Sequence, residues 1–75
     1  MEDLIMKTKK KNEFRIIRTN EHEYEVWQLT VVLWIFHQWE QIGVTDSYEK
    51  AFSMAYAEAE HLGAPCYIDY IDNLL

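Results

Sequence analysis

One stretch of this chain carries helix signals at both ends, and it sets what the rest can become. In TDSYEKAFSMAYAEAEHLG, Thr45 to Gly63, Asp46 stands as an N-cap with Glu49 at N3, an aspartate version of the capping box. Gly63 occupies the C′ position and Pro65 bars continuation. At 100° per residue Tyr48, Ala51, Phe52, Ala55, Ala59 and Leu62 fall in one arc, with Glu49, Ser53, Tyr56 and Glu60 turned away from it. A helix with so many small residues on its apolar arc is suited to lie close against a sheet. One helix covers one sheet face. Whatever the second face carries must be polar, pair across strands, or meet a partner.

The strands are read from alternation. EFRIIRT, Glu13–Thr19, is an expected first strand, and Asn20-Glu21-His22 supplies a turn. From Glu23, EYEVW places Tyr24 and Val26 on one side and Glu23, Glu25 and Trp27 on the other. A third strand is expected over Trp34–Ile42, ending at Gly43. The connection QLTVVLW has none of the Gly, Asn or Asp of ordinary hairpins. An uninterrupted strand from Tyr24 to Ile42 would reach about 60 Å, too long for a small domain. A turn near Leu29–Leu33 with an apolar tip is therefore expected. CYIDYIDNLL reads either as a fourth strand from Cys66 to Tyr70 or as a short helix aligning Ile68, Ile71 and Leu75. The expected fold is α+β: a three- to four-stranded antiparallel sheet with one amphipathic helix on one face, in the order β-β-β-α with a terminal strand or short helix. Residues 1–12 read as a flexible basic arm and residues 13–75 as a single domain.

Charge is divided along the 75 residues. Residues 1–18 hold six bases and three acids; residues 19–75 hold ten acids and one base, Lys50, within a total of −6. A domain that binds nucleic acid gains affinity by neutralising phosphates, so this acidic body points away from direct nucleic-acid binding and towards basic protein surfaces. KTKKK, without interleaved aromatics, is not a stacking platform. A single cysteine, Cys66, rules out an internal disulfide and fits a reducing cytoplasm. The longest uncharged run is interrupted by Gln28, Thr30, His37 and Gln38 and is too short to span a bilayer, so no membrane partner is expected.

Little in the chain marks catalysis. His22, His37 and His61 fall on a turn, a strand and a last helical turn, without paired ligands at short spacing, so no metal site is expected. Cys66 has Asp69 nearby, which disfavours a thiolate nucleophile. Asp69 and Asp72 would point opposite ways on a strand. With two glycines there is no phosphate-cradling loop. No enzyme activity and no cofactor are expected.

The aromatics carry the remaining signal. Trp34, Phe36, Gln38, Glu40 and Ile42 share one parity, and Leu33, Ile35, His37, Trp39 and Gln41 the other. Both faces of the third strand thus hold large rings. If the helix takes one parity, Trp27 and either Trp39 or Trp34 remain outside. Aromatics among carboxylates suit a protein-binding surface. The expected binding residues are Glu23, Glu25, Trp27, Val31, Val32, Trp34, Trp39 and Glu40, within an acidic rim that also takes in Glu21, Glu58 and Glu60. The expected function is a stoichiometric inhibitor that blocks the basic surface of a nucleic-acid-binding effector. The alternative is a homodimer, structural or regulatory, buried at the aromatic face. In size, charge and layout, the chain resembles the small acidic inhibitors that phages encode against bacterial defence systems, anti-CRISPR proteins among them. That resemblance implies action in the host cytoplasm and assigns no individual residue.

Overall fold

The computed structural model describes residues 8–33, 35–62 and 66–74. In chain order these form β1 (Thr8–Asn20), β2 (Glu23–Val32), β3 (Phe36–Thr45), α1 (Tyr48–Leu62) and β4 (Tyr67–Asp72). The strands make one sheet in the order β3-β2-β1-β4. The β1–β2 and β2–β3 pairings are antiparallel, as alternation and turns predict. The β1–β4 pairing is parallel, with Phe14 beside Ile68 and Arg18 beside Asp72. The sheet is therefore mixed. The reason is the helix: α1 carries the chain from β3 at one edge back across the sheet, and β4 then runs in the same direction as β1 and β3. The strand reading of residues 67–72 replaces the short-helix alternative.

Three boundaries differ from expectation for identifiable reasons. β1 begins at Thr8, where Thr8, Lys9 and Lys10 pair with Val32, Val31 and Thr30. Part of the expected arm thus joins the sheet, and residues 1–7 lie outside the described residues. β3 continues past Gly43 to Thr45. Gly43 is not a stop but a close-approach site, because a Cβ there would overlap Sδ and Cε of Met54 on the helix. A bulge at the same level, between the Val26–Gly43 and Trp27–Gln41 pairs, inserts Ile42 as an extra residue. Finally, the turn between β2 and β3 lies at Leu33–Ile35, so Val31 and Val32 close β2 instead of forming the tip.

That turn uses residues ill-suited to it. Ile35 donates its backbone N–H to the Val32 carbonyl at 3.2 Å, closing a turn within the three-residue loop between the paired Val32 and Phe36. Leu33 takes the first loop position with φ 55°. Both hairpin turn types that match strand twist require positive φ there, which favours Gly, Asn or Asp. A leucine in this region carries about 1–2 kcal/mol of strain.

The helix is also capped differently. Ser47, not Asp46, is the N-cap: its Oγ accepts from the Lys50 N–H at 3.3 Å, and its carbonyl accepts the first helical bond from Ala51 N–H. TDS offers three successive oxygen-bearing side chains, so spacing alone does not choose among them. Lys50 then occupies N3, and the expected box with Glu49 does not form. Asp46 instead pairs with Lys50 Nζ at 3.1 Å, which holds its carboxyl below the usual range.

Alanine forms the seam between layers. Ala51, Ala55 and Ala59 are buried against Phe14 and Ile16 of β1 and Val26 of β2, with Tyr24, Ile42, Met54, Cys66 and Ile68 closing the margins. Burying side chains such as Phe14, Ile16 and Val26 contributes about 1.5–3 kcal/mol each. Tyr48 and Phe52 do not share this seam as expected; they stand on its flank, about two-fifths exposed. Rings of their size would hold the helix off the sheet, whereas methyl groups let it settle.

The helix spans about 22 Å at 1.5 Å per residue. β2 and β3 each span about 33 Å at 3.3 Å per residue. The β2–β3 hairpin is therefore about 10 Å longer than the helix.

Candidate functional site

Register decides which side chains share a face. Phe14, Ile16, Tyr24 and Val26 lie beneath α1, and no described element covers the opposite face. On β2 that helix-free face carries Glu23, Glu25, Trp27, Leu29 and Val31. β3 adds Val44, Gln41, Trp39 and His37 opposite Glu25, Trp27, Leu29 and Val31. β1 adds Arg15 and Ile17, and the parallel register of β4 places Asp69 and Ile71 beside them.

Among the expected binding residues, Glu23, Glu25, Trp27, Val31 and Trp39 come together on this face. Val32 and Glu40 belong to the helix-side face by their pairing with Phe36 and Gln28. Trp34 lies outside the described residues. Val31 is only 7 % exposed, so it supports the face from within and presents little surface. The wider rim is also divided: Glu58 and Glu60 lie on α1, across the sheet from Glu23 and Glu25.

Two contacts order the face. Trp27 Nε1 donates to Glu25 Oε1 at 3.1 Å, which fixes an indole edge to a half-buried carboxylate. Arg15 reaches from β1 across β2, with its guanidinium carbon 4.2 Å from the Trp39 ring centroid. Leu29, the cross-strand partner of Trp39, is 8 % exposed beneath this layer. Sequence reading missed the role of Arg15, because a pairing across two strands requires register. It also missed an aromatic ridge on α1. Tyr48, Phe52 and Tyr56 follow at four-residue spacing, with ring centroids 6.1 and 6.3 Å apart, and Tyr48 meets Tyr70 of β4 edge-on at 5.2 Å. The spacing signals such a ridge, but not whether it is covered.

Polar chemistry elsewhere is structural. Gln28 is fully buried and its Nε2 donates to the Lys11 carbonyl at 3.1 Å, in the stretch where β1 slips register against β2. Arg18 and Asp72 pair at 3.2 Å between β1 and β4. Asp72 also accepts from the Leu74 N–H, foremost among the contacts that hold its carboxyl below the usual range. Burial and the neighbouring Asp72 push the Tyr70 hydroxyl upward. Among the described residues no group of three or more His, Cys, Asp or Glu is placed to hold a metal ion. Nor is any described helix long and apolar enough to cross a membrane.

Comparison of the chain with family models, curated proteins and solved structures gives no match. The fold thus defines a small α+β protein with one sheet face that no described element covers.

Proposed function

We propose that the protein is a binding module that docks through its helix-free sheet face and acts as a stoichiometric inhibitor. The observation that carries this reading is the grouping of Glu23, Glu25, Trp27 and Trp39 on the face that α1 leaves uncovered. Carboxylates at the β1–β2 end steer the protein towards a basic surface, and the indoles supply apolar contact once water is expelled. A basic groove that holds nucleic acid is the target class with matching charge. Inhibition of a bacterial defence effector, in the manner of phage-encoded anti-CRISPR proteins, is the corresponding biological role.

The test is affinity capture from bacterial lysate with wild type, Glu23→Lys/Glu25→Lys and Trp27→Ala, each checked for fold by circular dichroism. The expected result is a basic nucleic-acid-binding protein recovered by wild type and lost by both variants. Equal recovery by all three overturns the reading. Size-exclusion chromatography with mass detection separates the alternative: a stable homodimer whose formation requires Trp27 assigns the face to self-association.

A further inference from the structure

The β2–β3 tip has no part in the face described above. Ile35 is 71 % exposed, Phe36 60 % and Leu33 41 %. Phe36 lies on the helix-side face by its pairing with Val32, while Leu33 and Ile35 stand at the turn itself. Apolar surface therefore wraps the tip instead of lining one side. The strain at Leu33 adds an independent sign, since a turn residue suited to water and to positive φ would be polar or glycine.

Among the described residues, the charged positions nearest the tip are the lysines at the start of β1. No acidic residue occurs from Gln28 to Trp39. β1 places Lys9 and Lys10 in register with Val31 and Thr30, and Lys11 follows. At about 3.3 Å per residue, these register positions lie about 7–10 Å behind Leu33. An apolar tip followed by lysines at that depth matches the layering of a bilayer surface, with acyl chains below and anionic headgroups above. A protein groove would take one side of the hairpin; a bilayer surrounds it. The ten acids of residues 19–75 all lie outside this segment, so repulsion from an anionic surface orients the protein tip first.

We propose that the β2–β3 tip is a peripheral anchor for anionic lipid membranes, with Leu33, Ile35 and Phe36 entering the interface beside the basic start of β1, where Lys9 and Lys10 hold register positions opposite Val31 and Thr30. Surface anchoring is a different demand from spanning, and the short uncharged run that excludes the second permits the first. The proposal stands apart from protein binding at Glu23 and Glu25, which lie at the other end of the sheet.

The test is co-sedimentation of the full chain with vesicles of phosphatidylcholine alone and of phosphatidylcholine with an equal part of phosphatidylglycerol. Wild type is expected to partition onto the anionic vesicles about tenfold or more above the neutral ones, with the excess removed by high salt. Ile35→Ser/Phe36→Ser is expected to lower anionic-vesicle binding about tenfold. Both side chains already face solvent, so fold is retained, as circular dichroism would verify. Lys9→Gln/Lys10→Gln, which leaves the apolar tip intact, should lose the preference for anionic lipid. Absence of wild-type binding to either vesicle overturns the proposal, as does unchanged binding by the serine variant. A tip that fails to bind vesicles but cross-links through residue 35 to a soluble protein overturns it in favour of a protein groove.

Discussion

The Arg15 guanidinium carbon stands 4.2 Å from the centroid of the Trp39 ring, joining β1 to β3 over the intervening strand. This contact forms a second, thin layer on the face that lacks a helix. Trp39→Ala is expected to destabilise the fold by about 1–2 kcal/mol through lost stacking and exposure of Leu29. A double-mutant cycle with Arg15→Ala, read by urea denaturation, should give a coupling of about 0.5–1 kcal/mol. Additive single effects would show that the two side chains are neighbours without interaction.

Gly43 and Met54 make a paired prediction. Gly43→Val is expected to cost about 1 kcal/mol, because the new side chain must displace the flexible thioether end of Met54 on α1. Met54→Ala in the same chain should recover part of the loss by vacating that space. Thermal melts of the wild type and the two variants decide this. If the second substitution gives no recovery, strand geometry at the bulge, and not the helix, is the constraint.

Relief of the strained turn is measurable. Leu33→Asn places a residue tolerant of positive φ where φ is 55°. It is expected to raise stability by about 0.5 kcal/mol in urea denaturation, after allowing for the loss of a partly buried leucine. A stability loss above about 1 kcal/mol would mean that Leu33 contributes more packing than its exposure indicates.

Acid should loosen β4 through Asp72. Its folded-state carboxyl lies below the ordinary value, held first by the Leu74 N–H and then by Arg18. The resulting stabilisation is fully present above the unfolded-state value of about 3.9 and is lost as pH falls through the lower folded value. Asp72→Asn should lower stability at neutral pH and flatten the acid limb. Denaturation midpoints from about pH 7 to about pH 3 test this, and an unchanged limb would assign acid sensitivity to other carboxylates.

What was legible in the chain followed periodicity and caps. Tyr24 and Val26 on one side, Glu23, Glu25 and Trp27 on the other, follow from period two, and register bears the division out. The helix limits were marked by polar residues before Tyr48 and by Gly63 and Pro65 after Leu62. Long-range choices were not legible. Nothing local states that β4 pairs with β1, that Gly43 serves a helix, or that Arg15 reaches Trp39. The hairpin tip was hidden for a different reason: Leu33 occupies a position where turn chemistry expects Asn or Gly, so the signal for the turn was missing while the turn itself was present. The grouping of binding residues was half legible: alternation separates Glu40 from Trp39, but which parity of β3 shares a face with Trp27 follows only from the Trp27–Gln41 register.

The parallel pairing of β1 with β4 makes completion of the sheet wait on the whole chain. The β1–β2–β3 meander closes through short turns, whereas Arg18 meets Asp72 across 54 positions of sequence. During synthesis β1 is made first and receives its second neighbour last. Until β4 emerges, the open edge of β1 beside Phe14 and Ile16 is available to any extended strand in the vicinity. The protein thus passes through an interval in which the centre of its sheet is an unfinished edge, and that interval ends only when β4 docks.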